Sequence, residues 1–164
     1  LDLTVDGADE IDPALALIKG GGGALLREKL VARASRYVLI IGDSSKPVSI
    51  LGRFPLPLEV IPFAAPMVMD WVEDLGGRPV LREAHGPTGE PALTDQGNWL
   101  LDCHFDEIRQ PAELAAHLAD LPGVVEHGLF LGLARAALIA DGDEVFLLRP
   151  GTPAAPAAGF SALP

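Results

Sequence analysis

The sequence predicts an α/β protein. The expected architecture is a Rossmann-like open sheet, incomplete at its N-terminal side, with an inserted ferredoxin-like α+β domain. Three observations carry that prediction. Two apolar runs, residues 1–5 and 36–42, flank an amphipathic stretch, giving the strand–helix–strand order of a parallel unit. Residues 57–128 then read strand–helix–strand–strand–helix–strand, the split βαβ order of a small α+β module. Finally, apolar runs resume at residues 136–140 and 144–148 around Asp141-Gly142-Asp143, a hairpin that completes the first sheet. The expected boundaries are 1–56 with 129–150 for the α/β part, 57–128 for the insert, and 151–164 for an Ala/Pro-rich flexible tail.

Composition narrows the function. A chain of 164 residues and 17.2 kDa, 49% hydrophobic, has ample material for a core. None of its apolar runs reaches the roughly 18 residues of a membrane helix, so no membrane partner is expected. The chain opens inside a strand-like run and not at Met, as if something upstream were absent, and no basic-then-apolar leader precedes it. With a single cysteine, Cys103, no internal disulfide can form, and a cytoplasmic location is expected. A formal charge of −11 repels nucleic acid, and no lysine or arginine stripe offsets it. An anionic substrate would therefore need a local cluster of donors, and Lys19, Lys46 and the glycine turn between them are the candidates.

Taken in order, Leu1 to Val5 reads as a short strand that delivers Asp6-Gly7-Ala8-Asp9-Glu10 on a turn. A plain Asx-turn is the structural alternative for these acids. A metal reading of Asp6, Asp9, Glu10 and Asp12 lacks the calcium-loop pattern, and no metal site is expected. Residues 14–18 form an apolar run ending at Lys19, and Gly20 to Gly23 lead into a helix over 24–34 with Leu26, Leu30 and Ala34 at i, i+4, i+8. A glycine turn at a helix start lets backbone N–H groups approach an anion. It is neither a P-loop, because no Gly-Lys-Ser/Thr follows, nor a dinucleotide fingerprint, because Leu25 stands where the third glycine would be. Glu28, on the side of that helix away from Leu26 and Leu30, is either a general base beside the turn or a carboxylate complementing the helix dipole.

Residues 36–42 predict a buried parallel strand, and Asp43-Ser44-Ser45-Lys46 lies just past its end. Ligands of open α/β sheets gather outside the carboxyl ends of strands, where Asp6, Asp9 and Lys46 all fall. In the second module the expected strands are 57–62, 79–82, 98–105 and 123–129. The expected helices are 64–75 and 111–119, with a Gly/Pro/Thr-rich loop at about 84–97. This module has no clustered acid, base and phosphate donors. His85, His104, His117 and His127 lack metal-ligand spacing, and Cys103 reads as a buried apolar residue.

The combination Asp6-Gly-Ala-Asp-Glu10, Lys19-Gly-Gly-Gly22, Arg27-Glu-Lys29 and Asp43-Ser-Ser-Lys46 resembles the ribose-5-phosphate isomerases of the A type. Residues 54–62 (Phe-Pro-Leu-Pro-Leu-Glu-Val-Ile-Pro), Leu75-Gly-Gly-Arg-Pro79, Pro122-Gly-Val-Val125 and Gly128-Leu-Phe130 extend the resemblance, in order, over residues 1 to about 149. The resemblance implies interconversion of ribose 5-phosphate and ribulose 5-phosphate, in the non-oxidative pentose phosphate pathway, with no metal or organic cofactor. It implies Glu28 as the base moving a proton between C2 and C1. Asp6, Gly7, Ala8, Asp9, Lys19, Gly20, Gly21, Gly22 and Lys46 match substrate-binding positions, with Asp6, Asp9 and Lys19 also assisting the chemistry. It further implies a homo-oligomer, dimer or tetramer. The chemistry fits independently: one carboxylate returns the proton it takes, and Lys19 with the N–H groups of Gly20 to Gly22 faces the enediolate oxygens. Asp6 or Asp9 is the candidate for opening the furanose ring. One departure stands out. The family places a further strand–helix segment with a Gly/Ser/Thr phosphate loop in front of Asp6, and residues 1–5 do not supply it. The expectation is therefore an isomerase short of part of its phosphate cradle. A non-catalytic sugar-phosphate-binding module or an inactive isomerase fragment is the alternative.

Overall fold

A computed structural model describes residues 1–84 and 89–157. In chain order the elements that position the site are β1 (Leu3–Asp6), β2 (Glu10–Ile11), β3 (Leu17–Ile18), α1 (Leu25–Arg33) and β4 (Tyr37–Asp43). The insert follows as β5 (Leu56–Val60), α2 (Ala65–Asp74), β6 (Arg78–Leu81), β7 (Trp99–His104), α3 (Pro111–Asp120) and β8 (Val124–His127). The chain then returns through β9 (Leu129–Phe130), β10 (Ala136–Asp141), β11 (Glu144–Leu148) and β12 (Ala155–Pro156).

The first sheet runs β1-β4-β10-β11-β12. β4 pairs in parallel with both β1 and β10, and β10 turns back on β11 as the expected hairpin. Residues 155–156 of the tail differ from the flexible segment expected: β12 pairs with β11, and the Ala157 N–H reaches the Val145 carbonyl at 2.8 Å. The reason lies in β11, which would otherwise present an unpaired edge, where a proline such as Pro156 is tolerated. Residues 158–164 of that tail, and His85 in the 84–97 loop, lie outside the described residues.

The insert forms an antiparallel sheet in the order β6-β7-β5-β8. Counted within the insert, that is 2-3-1-4, the ferredoxin-like arrangement that its element order predicts. Val68, Val72 and Leu118 of its two helices are buried with Leu58, Val60, Leu101 and Cys103 of the sheet.

Two features depart from the sequence reading. Helix α1 does not bury Leu26, Leu30 and Ala34; its core-facing residues are Leu25, Lys29 and Ala32, and Leu30 is 60% exposed. A hydrophobic pattern cannot anticipate a lysine in the core, and Lys29 is tolerated there because it is ion-paired, as described below. Likewise β4 is not buried on both faces. Val38 and Ile40 join Ala32 in the core, whereas Leu3, Val5 and Ile41 on the opposite face are about half exposed.

A third sheet, β2-β3-β9, has strands of only two residues, too short to recognise from pattern. It divides two cores. Side chains alternate across a strand, so Leu17 and Phe130 enter the core of the first sheet while Ile18 and Leu129 enter that of the insert. The chain leaves this junction at Lys19.

Candidate active site

Three local devices converge where β1, β3 and α1 meet. The first is the turn after β1. Asp6 Oδ1 accepts the Gly7 N–H at 2.8 Å, which closes the turn, and the Asp9 N–H then joins Ile18 at 2.8 Å. The second is the end of β3, where the Lys19 N–H donates to the Gly128 carbonyl at 2.9 Å and aims the side chain inward. The third is the first turn of α1, which presents Glu28.

These residues line a cavity of about 220 Å³: Asp6, Gly7, Ala8, Asp9, Lys19, Gly20, Gly21, Gly22 and Glu28. Lys19 is its centre. The ammonium, on a side chain only 5% exposed, donates to the Gly7 carbonyl at 2.6 Å and lies 3.0 Å from Asp6 Oδ2 and 3.3 Å from Glu28 Oε2. It also stands 5.5 Å from the centroid of the Phe130 ring, a cation–π distance. Such a buried ammonium survives because two carboxylates and a carbonyl surround it.

The contact with Glu28 is an ion pair without hydrogen-bond geometry. Its Oε2 is buried yet accepts no hydrogen bond. An oxygen in that state keeps its lone pairs available, which suits a group that must take a proton from carbon.

One N–H of the glycine turn, expected to face an anion, has a partner inside the protein. The Gly21 N–H donates to Asp9 Oδ2 at 2.8 Å, so one of the three N–H groups expected to face a substrate is already engaged. Gly21 is required for this approach: a Cβ there would lie 2.7 Å from Asp9 Oδ1. The charge balance agrees. Three acids and one base line the cavity, a net −2, which disfavours a phosphate dianion inside it.

Of the residues singled out in the sequence, the structure brings all together except Lys46. Lys46 sits on the turn after β4, with its carbonyl accepting from Ile11 at 3.0 Å and its stem close against Gly42. It does not line the cavity. The four acids weighed as metal ligands have separate tasks: Glu10 is fully buried and caps the N–H groups of Gly52 and Phe54, each at 2.7 Å, and Asp12 caps Ala14 and Ala16. Among the described residues no acid, histidine and cysteine cluster could hold a metal ion, and no helix is long and apolar enough to cross a membrane.

Sequence reading missed Lys29, Glu126 and Arg82. Lys29 follows Glu28 but points into the core, donating to the His127 carbonyl at 2.6 Å and Glu126 at 2.5 Å. Burial pushes its pKa down while Glu126 holds it up. Both partners lie about a hundred residues away in sequence, and Lys29 gave no signal beyond its charge. Cys103 is fully buried and burial raises its thiol pKa, so it is an inert core residue as expected.

The family model of ribose 5-phosphate isomerase A (phosphoriboisomerase A) matches residues 1–144. The ribose-5-phosphate isomerase A of Sphingopyxis alaskensis is 56% identical over 145 residues, covering 88% of this chain and 62% of the relative. That of Nitrobacter hamburgensis is 53% identical over 151 residues, covering 88% and 64%. The structure of ribose 5-phosphate isomerase A from Methanocaldococcus jannaschii superposes with a TM-score of 0.85 at 37% identity, covering 91% of this chain and 66% of that one. A D-ribose-5-phosphate isomerase in complex with phospho-erythronic acid gives 0.87 at 34% identity, covering 91% and 65%. The chain thus spans a little under two thirds of the length of the first two relatives. With a family model matched over residues 1–144, relatives more than 50% identical and the same fold, the chain belongs to the ribose 5-phosphate isomerase A family.

Proposed function

We propose that this chain carries the isomerisation of its family, interconverting ribose 5-phosphate and ribulose 5-phosphate through an enediolate. The observation that carries this is the unbonded, buried Glu28 Oε2 at 3.3 Å from the Lys19 ammonium inside the cavity. Glu28 takes the proton from C2 of the open-chain aldose, and the C2–H electrons move to form the C1–C2 double bond. The same carboxylic acid returns the proton to C1, while a second proton passes from the C2 oxygen to the C1 oxygen. Lys19 faces the charge that develops on those oxygens. Neither step calls for a metal or an organic cofactor.

The charge balance supports an orientation. A cavity of net −2 receives the hydroxyl-rich carbonyl end, and the phosphate points outward, on the side where Lys46 follows β4. Of the two ring-opening candidates, Asp6 has Oδ1 on the Gly7 N–H and Oδ2 on Lys19, whereas Asp9 has only Oδ2 engaged, by Gly21. That favours Asp9. The backbone of Gly7, Ala8, Gly20 and Gly22 completes the substrate contacts. The phospho-erythronic acid held by a solved relative supports this reading, since it is a phosphorylated, hydroxyl-rich acid whose planar carboxylate carries negative charge on oxygen, as an enediolate does.

Residues 1–56 and 129–150 act as the catalytic α/β domain, and 57–128 as an inserted domain whose sheet backs the glycine turn. The working form is a homo-oligomer in the cytoplasm, in the non-oxidative pentose phosphate pathway. A buried, unpaired cysteine suits that compartment.

The test is ribulose 5-phosphate formation by this chain, metal-free, beside Glu28→Gln. The variant should lose about 10²–10⁴-fold in turnover while calorimetry shows ribose 5-phosphate binding retained. A variant keeping most of its rate would refute the base assignment. Because the chain covers 62% of its relative's length, a second reading is a sugar-phosphate-binding module without turnover. Binding with no exchange of the C2 hydrogen into solvent would establish that reading instead.

A further inference from the structure

Four glycines run consecutively from Gly20 to Gly23, the first three of them lining the cavity, and glycine loses more backbone freedom on ordering than any other residue. Something outside the turn has to hold it. The structure shows a guanidinium reaching it from the insert. Arg82, immediately after β6, donates from Nη1 to the Gly20 carbonyl at 3.1 Å and to the Gly21 carbonyl at 3.0 Å. Its Nε and Nη2 form a bidentate fork on Asp102 of β7, at 2.9 and 2.5 Å. Both side chains are mostly buried, at 17% and 22% exposure. The backbone of Arg82 is fixed as well, with its N–H on Leu100 and its carbonyl accepting from Ala92, both at 2.8 Å.

The contacts form a line into the site. The Gly20 carbonyl and the Gly21 N–H belong to one peptide unit, so a cation on the carbonyl strengthens the N–H as a donor. That N–H is the one that holds Asp9 Oδ2 at 2.8 Å. The Gly21 carbonyl and the Gly22 N–H are coupled in the same way. Arg82 does not line the cavity, so its influence on the chemistry passes through the turn. An ordinary cross-strand ion pair between β6 and β7 would not need to aim Nη1 at two carbonyls of the other sheet's loop.

We propose that Arg82, oriented by Asp102, is a positioning residue. It fixes the glycine turn and, through the Gly21 N–H, the Asp9 carboxylate opposite Lys19 and Glu28. This rests on reading the cavity as the isomerase site. Lysine cannot replace it, because one ammonium cannot grip a carboxylate in a fork and also bridge two carbonyls.

The test uses the 164-residue chain with Arg82→Gln, Arg82→Lys and Asp102→Asn. For each, kcat, KM and the amide exchange of Gly21 and Gly22 are measured by kinetics and NMR. In Arg82→Gln, Gly21 exchange should accelerate at least about tenfold, and kcat should fall about 10- to 100-fold as the turn and Asp9 drift from place. Arg82→Lys should recover little of either, and Asp102→Asn should fall between. A folded Arg82→Gln with unchanged kcat, KM and Gly21 exchange overturns the proposal. If that variant does not fold, Asp102→Asn decides by the same readouts. If the unmutated chain shows no isomerisation, the isomerase reading fails, and Gly21 exchange alone then decides whether Arg82 holds the turn.

Discussion

Acid should loosen this fold through one imidazole. His127, the last residue of β8, is buried at 8% exposure, and its Nδ1 accepts the Leu129 N–H at 3.2 Å while facing the Lys29 ammonium at 3.4 Å. Both neighbours are donors, so the network assigns the ring proton to Nε2. A second proton on Nδ1 would set N–H against N–H. Burial first, then the Lys29 charge and more weakly Arg33, push the His127 pKa down to about 4, against the pull of Glu126, whose Oε1 is 3.9 Å from Nε2. The unfolded chain binds this proton near pH 6.5 and the folded chain only near 4. Between those values the unfolded state holds more protons, so stability falls as pH drops through the window. At about 1.4 kcal/mol per pH unit the full loss is about 3 kcal/mol, with about 2 kcal/mol of it reached by pH 5. For a chain of this length that is a fall in Tm of roughly 4–8 °C. Urea unfolding at pH 7, 6 and 5 should show the slope in the parent chain. In His127→Gln, where a carbonyl oxygen can accept from Leu129 without titrating, the slope should flatten. Identical slopes in the two proteins would refute the reasoning, because the carboxylates common to both would then account for the acid sensitivity.

Two further outcomes follow from side chains packed against the site. Lys29→Met should cost about 3 kcal/mol in urea unfolding, by stranding Glu126 against the core, and adding Glu126→Gln should recover part of it. Gly128→Ala would place a Cβ 2.3 Å from the Lys19 carbonyl and 2.8 Å from Pro57 Cδ, so the end of β3 must shift. It should lose about 3 kcal/mol of stability, and turnover should fall more steeply than in Lys29→Met because Lys19 itself is displaced.

Local chemistry was legible in the sequence; long-range satisfaction was not. Asp6, Asp9, Lys19, the glycine turn and Glu28 fall within 23 residues, and each announces itself by type, because acids close turns and glycines permit close backbone approach. The order of the insert's elements likewise predicted its sheet. Arg82, by contrast, meets Gly20 across 62 residues, and nothing in its own neighbourhood marks it as different from a surface arginine. Lys29 reversed the reading of α1 for the same reason. Its partners sit on β8, so a hydrophobic stripe drawn through Leu26 and Leu30 chose the wrong face. Lys46 follows a strand end, as the rule for open sheets expects of a ligand-binding residue, but its stem packs against Gly42 and it does not line the cavity.

That misplaced stripe bears on how Glu28, the proposed base, is aimed. Glu28 and Lys29 are neighbours on one helix, about 100° apart around its axis, so one cannot turn without the other. Phe130 receives both lysines: the Lys29 ammonium stands 5.0 Å from its centroid and that of Lys19 5.5 Å. Lys19 is balanced by Asp6 and Glu28, and Lys29 by Glu126 and the His127 carbonyl. Rotating α1 enough to redirect Glu28 would pull Lys29 from Glu126 and leave a buried ammonium and a partly buried carboxylate unpaired, at a cost of several kcal/mol. The rotation of the helix is therefore set in the core, by a pair that never touches the cavity. Glu28 is left with a buried oxygen that accepts no hydrogen bond, its direction set by the helix that Lys29 anchors and by the Lys19 ammonium 3.3 Å away. A base anchored by hydrogen bonds to both its oxygens would be well aimed but less able to accept a proton from carbon. Anchoring the helix through Lys29 gives the aim without that loss.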